Sequence, residues 1–277
     1  MPKRSHHSGR QTTQSNTYRF FVDAEVFRGH DVVIEDGELA HQLGAVLRLR
    51  AGERVLLLDN SGWQYVVVLS AIERGRVTGT VELKELASGE PRTKLTLYVA
   101  FLRAERFEWV LQKGTELGVS AFVPLICERS TIADADELSE RKLERWRRIL
   151  REAAEQSRRG KLPRLAPALF FPAACDQATH RGTAILLWEG SGVPGLRQTL
   201  RGQASTPGDS DPRATPSDHP FSVALFSGPE GGFTTKELET AQRYGMIAVT
   251  LGPRTLRAET APLAAAAAIL YEMGDLE

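Results

Sequence analysis

Cysteine is scarce in this sequence. Only Cys127 and Cys175 occur among 277 residues, far apart and without metal-like spacing. That excludes a disulfide-stapled scaffold and a zinc module, and leaves buried free thiols in a reducing compartment. Net charge is missing too, since 35 Lys and Arg balance 35 Asp and Glu, which argues against a generally basic nucleic-acid binder. No run reaches the apolar length that spans a bilayer; Ala261 to Leu270 is mostly alanine and reads as a buried helix. The first residues lack an apolar signal core, so a soluble, cytoplasmic protein with no membrane partner is expected. A P-loop, a G-x-S-x-G turn and zinc-spaced Cys/His sets are absent. Hydrolase and NTPase readings therefore have no residues to stand on. The pair His6-His7 is too short to argue a metal site, and no metal is expected.

What is present suits one large or two modest domains, with 42% hydrophobic residues to build cores. Residues 1–17 are polar and basic and read as a disordered arm able to touch RNA. Residues 18–88 are β-rich. Short strands are expected over Arg19 to Val22, Asp31 to Ile34, Arg54 to Leu58, Tyr65 to Leu69 and Arg76 to Leu83, with a hairpin turn at Asp59-Asn60-Ser61-Gly62. Leu39, Leu43, Val46 and Leu47 recur at helical spacing and predict one helical segment among them. A small barrel with one helix is the expectation.

Ala87 to Pro91 reads as a linker. From there to the end, apolar strands alternate with helices, which predicts βαβ units and a parallel sheet. Lys94 to Leu102 is a strand, and Glu105 to Leu117 an amphipathic helix closed by Gly118. Ala121 to Cys127 is a strand ending in Glu128-Arg129-Ser130. Leu138 to Ser157 is a long charged helix with Leu143, Trp146, Ile149, Leu150 and Ala153 on its apolar stripe. Between Arg141 and Arg164 ten cations face three glutamates, either a solvated helix face or a phosphate-binding patch. Ala184 to Trp188 is a further strand, and Gln203 to Pro220 a polar excursion with no assigned role.

The organising stretch is Phe221 to Leu270. A strand, Ser222 to Phe226, breaks into Ser227-Gly228-Pro229-Glu230-Gly231-Gly232-Phe233, and a helix starts at Thr234 with Glu237 as capping-box partner. A second strand, Ile247 to Leu251, runs into Gly252-Pro253-Arg254-Thr255-Leu256-Arg257-Ala258-Glu259-Thr260. Ligands of open α/β sheets bind at carboxyl ends of strands, and glycine lets a ligand approach the main chain. Both loops together predict a site. Gly190-Ser191-Gly192-Val193-Pro194-Gly195 satisfies G-x-G-x-x-G after a strand, as a Rossmann enzyme binding SAM or a dinucleotide would. Pro194 at the loop-to-helix junction and the absence of a complete βαβ unit around it make this the minor reading.

These two loops, with Glu108 to Val119 and Glu152 to Arg159, resemble the signature segments of the ribosomal RNA small-subunit uridine-N3 methyltransferases of the SPOUT superfamily. The resemblance implies an α/β fold in which residues 92–277 form a SPOUT-type trefoil-knot domain, preceded at 18–88 by a PUA-like β-barrel that binds RNA. It implies S-adenosylmethionine (SAM) as cofactor, 16S ribosomal RNA within the small ribosomal subunit as partner, and a homodimer. The donor pocket is then expected at Leu187, Glu189, Phe226, Gly228, Pro229, Glu230, Gly231, Gly232, Leu251, Gly252 and Leu256. Arg257 and Arg254 are candidates to stabilise a developing uracil anion, though Arg254 could equally brace its loop. Glu259 is either a general base or a carboxylate stabilising a helix start, and Glu230 serves the donor, the subunit interface or only its turn. Phosphate contacts are expected from Arg19, Arg48, Arg50, Arg103, Arg106, Arg158 and Arg159. A non-catalytic RNA-binding protein with a vestigial pocket is the competing class.

Overall fold

The computed structural model describes residues 17–130, 139–180, 182–203 and 222–276. The expected N-terminal arm up to residue 16 and nearly all of the polar excursion lie outside them. Two compact units divide at Leu86/Ala87.

The first unit carries β1 (Arg19–Phe21), β2 (Phe27–Arg28), β3 (Asp31–Ile34), helix α1 (Gly37–His41), β4 (Arg54–Leu58), β5 (Trp63–Glu73) and β6 (Arg76–Leu86). The strands form one mixed sheet in the order β1-β4-β5-β6-β3-β2, with only β1 and β4 running parallel. Alternation decides the faces: Val55, Leu57, Val67, Leu69 and Val77 are buried together with Phe20, Ile34 and Leu43. Gly79 sits on β6 where a Cβ would meet Val67 and the Val68 carbonyl at 2.7 Å, so only glycine allows β5 and β6 this register. At the expected hairpin turn the Asp59 carboxylate accepts from the Ser61 amide at 3.0 Å and from the Tyr65 hydroxyl at 2.9 Å. Asn60 and Gly62 take left-handed backbones there.

One expectation fails in this unit. Asp36 caps α1 through the Glu38 and Leu39 amides, but the helix widens into a π turn over Gln42–Val46. The wider turn breaks the 3.6-residue spacing. Leu43 stays buried while Val46 is turned outward, 62% exposed.

The second unit holds β7 (Lys94–Ala100), α2 (Ala104–Leu117), β8 (Ala121–Ile126), α3 (Glu140–Gln156), β9 (Arg164–Leu165), β10 (Leu169–Phe170), α4 (Phe171–Thr179), β11 (Thr183–Leu187), α5 (Leu196–Gln203), β12 (Ser222–Ser227), α6 (Thr235–Arg243), β13 (Ile247–Val249) and α7 (Thr260–Glu272). Its sheet runs β10-β8-β7-β12-β11-β13, with β9 also on β8, and every pairing is parallel. A parallel sheet must be covered on both faces, which is why its strands are near-continuous apolar runs. Leu95, Leu97, Val99, Val223, Leu225 and Val249 pack with Phe107, Leu111, Trp146, Leu200 and Ile269, so α2, α3, α5 and α7 cover one face. Tyr98, Ala100, Ala224, Phe226 and Leu186 pack with Phe171, Cys175 and Ala241, so α4 and α6 cover the other. Tyr98 stacks on Phe226 with centroids 4.3 Å apart, and Phe107 packs on Trp146 at 4.6 Å. Both cysteines are free and buried. Burial, with the Glu237 carboxylate nearby, raises both thiols, Cys175 to about 12, which leaves them without thiolate character.

The segment before β7 is fixed by a buried ion pair. The Arg159 guanidinium, 3% exposed at its side chain, donates to both Glu90 carboxylate oxygens at 2.8 and 2.9 Å. It also donates to the Thr115 and Val119 carbonyls, at the end of α2. Glu90 further accepts from the Gly160 and Lys161 amides. Burial alone would raise the Glu90 carboxyl, but Arg159 and these amides outweigh it and hold the group below the ordinary glutamate range. A carboxyl depressed in this way stabilises the fold fully above the ordinary value of about 4.3, and the contribution is lost as pH falls through the lower folded value. R159L strands the carboxylate, and is expected to cost about 3 kcal/mol at neutral pH. Denaturant unfolding should show that deficit narrowing in acid, below roughly pH 4.

Candidate functional site

Strands β12, β11 and β13 lie side by side and end at the same edge, so the three loops that leave them converge. Between them is a cleft of about 770 Å³, lined by 187–191 and Val193, by 227–233 without Glu230, by 249–256, and by Ala258 and Ala261. Arg129, following β8, closes one side. The volume falls within the range of roughly 300–1,000 Å³ typical of small-ligand sites.

The loops are held by main-chain bonds. The Trp188 amide donates to the Val249 carbonyl at 2.9 Å, the Thr250 amide to the Pro194 carbonyl at 2.9 Å, and the Leu196 amide to the Thr250 carbonyl at 3.0 Å. Residues 188–196 are thereby laced to the end of β13. In the β12 loop the Gly232 amide donates to the Pro229 carbonyl at 2.9 Å. Gly232 and Gly252 have φ of +66° and +107°, and a Cβ at either would meet nothing within 4 Å. Both glycines leave main chain open to a ligand in a backbone region that other residues enter at a cost.

Glu237 carries more of this site than a cap. Thr234 and Glu237 form the expected capping box. The Glu237 carboxylate, buried at 7%, also accepts from the Glu128 amide at 2.9 Å, and the Thr234 hydroxyl donates to the Glu128 carboxylate at 3.1 Å. Arg129 donates to the Gly231 carbonyl at 2.6 Å. One carboxylate therefore joins the end of β8 to the β12 loop.

Of the residues predicted for the pocket, Leu187, Glu189, Gly228, Pro229, Gly231, Gly232, Leu251, Gly252 and Leu256 line the cleft, as does Arg254. Phe226 does not: it points into the core and stacks on Tyr98, because alternation along β12 turns it to the α4/α6 face, and Ser227 takes its place at the wall. Glu230 faces away from the cleft lining toward α2, where its carboxylate lies 3.7 Å from the Arg106 guanidinium and accepts from the Arg103 amide at 3.4 Å. Glu259 precedes α7, 3.7 Å from the same Arg106 nitrogen, and its Oε2 is buried with no hydrogen bond. Arg257 gives its carbonyl to the Thr260 and Ala261 amides at the start of α7, and its side chain is exposed.

The expected phosphate contacts divide. Arg19 is half-buried and bonds Gln64, while Arg48 and Arg50 are exposed on the first unit. Arg103 and Arg158 are exposed on the second, and Arg106 is the half-buried bridge just described. Arg159 needs correcting: buried against Glu90, it is a strut of the fold and has no guanidinium face for phosphate. On α3, Arg145 and Arg147 pair with Glu108 and Glu140 at 2.6 Å. Gly190, Ser191 and Val193 of the G-x-G-x-x-G segment line the cleft already described and form no separate dinucleotide site. Sequence reasoning missed Arg129, Trp188 and Ser227 among the wall residues. Trp188 was legible as the end of an expected strand, whereas Arg129 carried no signal of its own.

A parallel α/β sheet with main-chain-rich loops at three adjoining strand ends defines a ligand-binding α/β domain. The family described as "RNA methyltransferase domain" matches residues 89–270. The chain is 35% identical over 254 residues to ribosomal RNA small subunit methyltransferase E of Synechocystis sp., spanning 91% of this chain and 77% of that one. The Bacillus subtilis protein of the same name is 30% identical over 236 residues, 85% and 88% of the two chains. Among solved structures, a ribosomal RNA small subunit methyltransferase E from Neisseria gonorrhoeae bound to S-adenosyl methionine superposes with TM-score 0.76 at 30% identity, over 92% and 98% of the chains. The chain belongs to the RNA methyltransferase family, in the branch whose members carry the name ribosomal RNA small subunit methyltransferase E.

E237A removes the acceptor shared by Glu128 and Thr234. It is expected to cost roughly 2 kcal/mol, and hydrogen exchange should rise at the Glu128 and Thr234 amides ahead of the sheet.

Proposed function

We propose that this protein is a SAM-dependent methyltransferase of 16S ribosomal RNA, acting at N3 of a uridine in the small subunit. The observation that carries the reading is the cleft at the β12, β11 and β13 ends, in a chain whose gonococcal relative is bound to S-adenosyl methionine. The residues fit that group. Apolar walls at Leu187, Val249 and Leu251 suit adenine, main-chain groups flank Gly232 and Gly252, and the two glycines leave the space a Cβ would occupy.

When bound, SAM supplies an electrophilic methyl on a sulfonium, which becomes a thioether as the methyl bonds to N3 and the N3 proton departs. The chain must position the acceptor, exclude water and receive that proton. Arg254 lines the cleft and is suited to stabilise the negative charge shared by the uracil carbonyls. Arg257, three residues on, is assigned the same task from outside the cleft wall. Glu259 is assigned the general-base role from beside Arg106, at 3.7 Å, in the segment between the cleft residues Ala258 and Ala261. Arg106 bridges Glu259 and Glu230, so α2 sets the position of both carboxylates, and we assign it this bracing role ahead of a phosphate contact. Exposed Arg48, Arg50, Arg103 and Arg158, with the first unit as a PUA-like RNA-binding domain, are assigned to the RNA backbone. A homodimer and a cytoplasmic location complete the reading. Among the described residues no helix is long and apolar enough to cross a membrane.

Mass spectrometry of ribosomal RNA from cells with and without the protein should show 3-methyluridine lost from the small subunit; unchanged 3-methyluridine would overturn the substrate. In single-turnover methylation, R254A is expected to slow the step by roughly 100-fold. E259Q should slow it by about 100-fold or more, with its SAM affinity unchanged by calorimetry.

A further inference from the structure

We propose that Arg129 holds the α-carboxylate of the methyl donor and so sets which way the donor lies in the cleft. The proposal rests on the SAM reading and deepens it.

The charged residues on the cleft wall, among the described residues, are Arg129, Glu189 and Arg254. The sheet order separates the first two: Arg129 follows β8 and Glu189 follows β11, on opposite sides of β12. The donor is cationic at its sulfonium and ammonium groups and anionic only at its carboxylate. A guanidinium therefore attracts one end of it and repels the centre, and it pairs with carboxylates through two parallel N–H groups. Arg129 and Arg254 are both exposed, but the reversal that carries Arg129 is tied down by side-chain hydrogen bonds from Ser130 and Glu237.

That mounting is visible residue by residue. The Cys127 amide donates to the Ser130 hydroxyl at 2.9 Å, and the Ser130 amide returns to the Cys127 carbonyl at 3.0 Å. The Glu128 amide is held by Glu237 at 2.9 Å. The Arg129 stem crosses Gly231, where a Cβ would come within 3.2 Å of its Cδ, so the two residues are in close contact. One guanidinium nitrogen, Nη1, is spent on the Gly231 carbonyl at 2.6 Å. That bond tethers the group at the cleft wall, and a fork with five donors has others to offer an anion.

Calorimetry on the full chain with SAM, decarboxylated SAM and 5′-methylthioadenosine separates this role from a structural one. Wild type should bind SAM about 10-fold or more tighter than decarboxylated SAM, a comparison that needs no variant. R129Q should lose that preference while binding 5′-methylthioadenosine as wild type does, and R129K should retain part of it. Equal loss of all three ligands in R129Q would make Arg129 a strut for the Gly231 loop, and unchanged SAM affinity would leave it for the RNA; either result overturns the proposal. If wild type binds none of the three, the SAM reading itself fails. If it binds them without preference for the carboxylate, only the role of Arg129 does.

Discussion

Parallel pairing of β12 with β11 and of β11 with β13 is the constraint on which the rest of the second unit depends. Parallel strands send their carboxyl ends to one edge, so the loops that follow meet whatever their sequences. The same pairing buries both faces of each strand, which requires helices on each side and produces two cores. The cleft is thus a by-product of sheet geometry that the loops then furnish with glycines, main-chain groups and a few charges. Holding those loops still is a separate problem, solved by main-chain bonds between 188–196 and 249–250 and by the shared Glu237 carboxylate.

The sequence made much of this visible because the local rules and the fold agree. Apolar runs without alternation marked the strands of a covered sheet, and the Thr234/Glu237 pair marked the start of α6. Gly-Pro and Gly-Gly after two such runs located most of the cleft. What it could not show depended on facing and depth. Phe226 and Ser227 are adjacent on one strand, and only the paired sheet decides which of them reaches the cleft. Arg159 belongs to a run of cations that reads as a surface, yet its carboxylate partner lies 69 residues earlier in the chain. Val46 obeyed helical spacing until a π turn moved it outward. Arg129 became a wall residue only because β8 lies two strands from β12 in the sheet.

The carboxylates near the cleft show how one cation can serve two loops. Glu230 and Glu259 belong to different reversals, and both approach the same nitrogen of Arg106. Two acids so close would repel without it, so the α2 arginine lets both loops pack at this corner. The geometry ties the first helix of the unit to the last.

Another long tie has a consequence for how the chain is made. The Arg92 and Thr93 amides, just before β7, donate to the two carboxylate oxygens of Asp275 at 2.8 and 3.1 Å, across separations of 183 and 182 residues. β7 lies in the middle of the sheet between β8 and β12, so the first strand of this unit is anchored by a residue that follows the unit's last helix. During translation that strand must wait, with β8 alone for company, until the rest of the sheet has emerged. Contacts of such range are slow to form. For this unit, the central strand gains its second neighbour only after β9, β10 and β11 have been made.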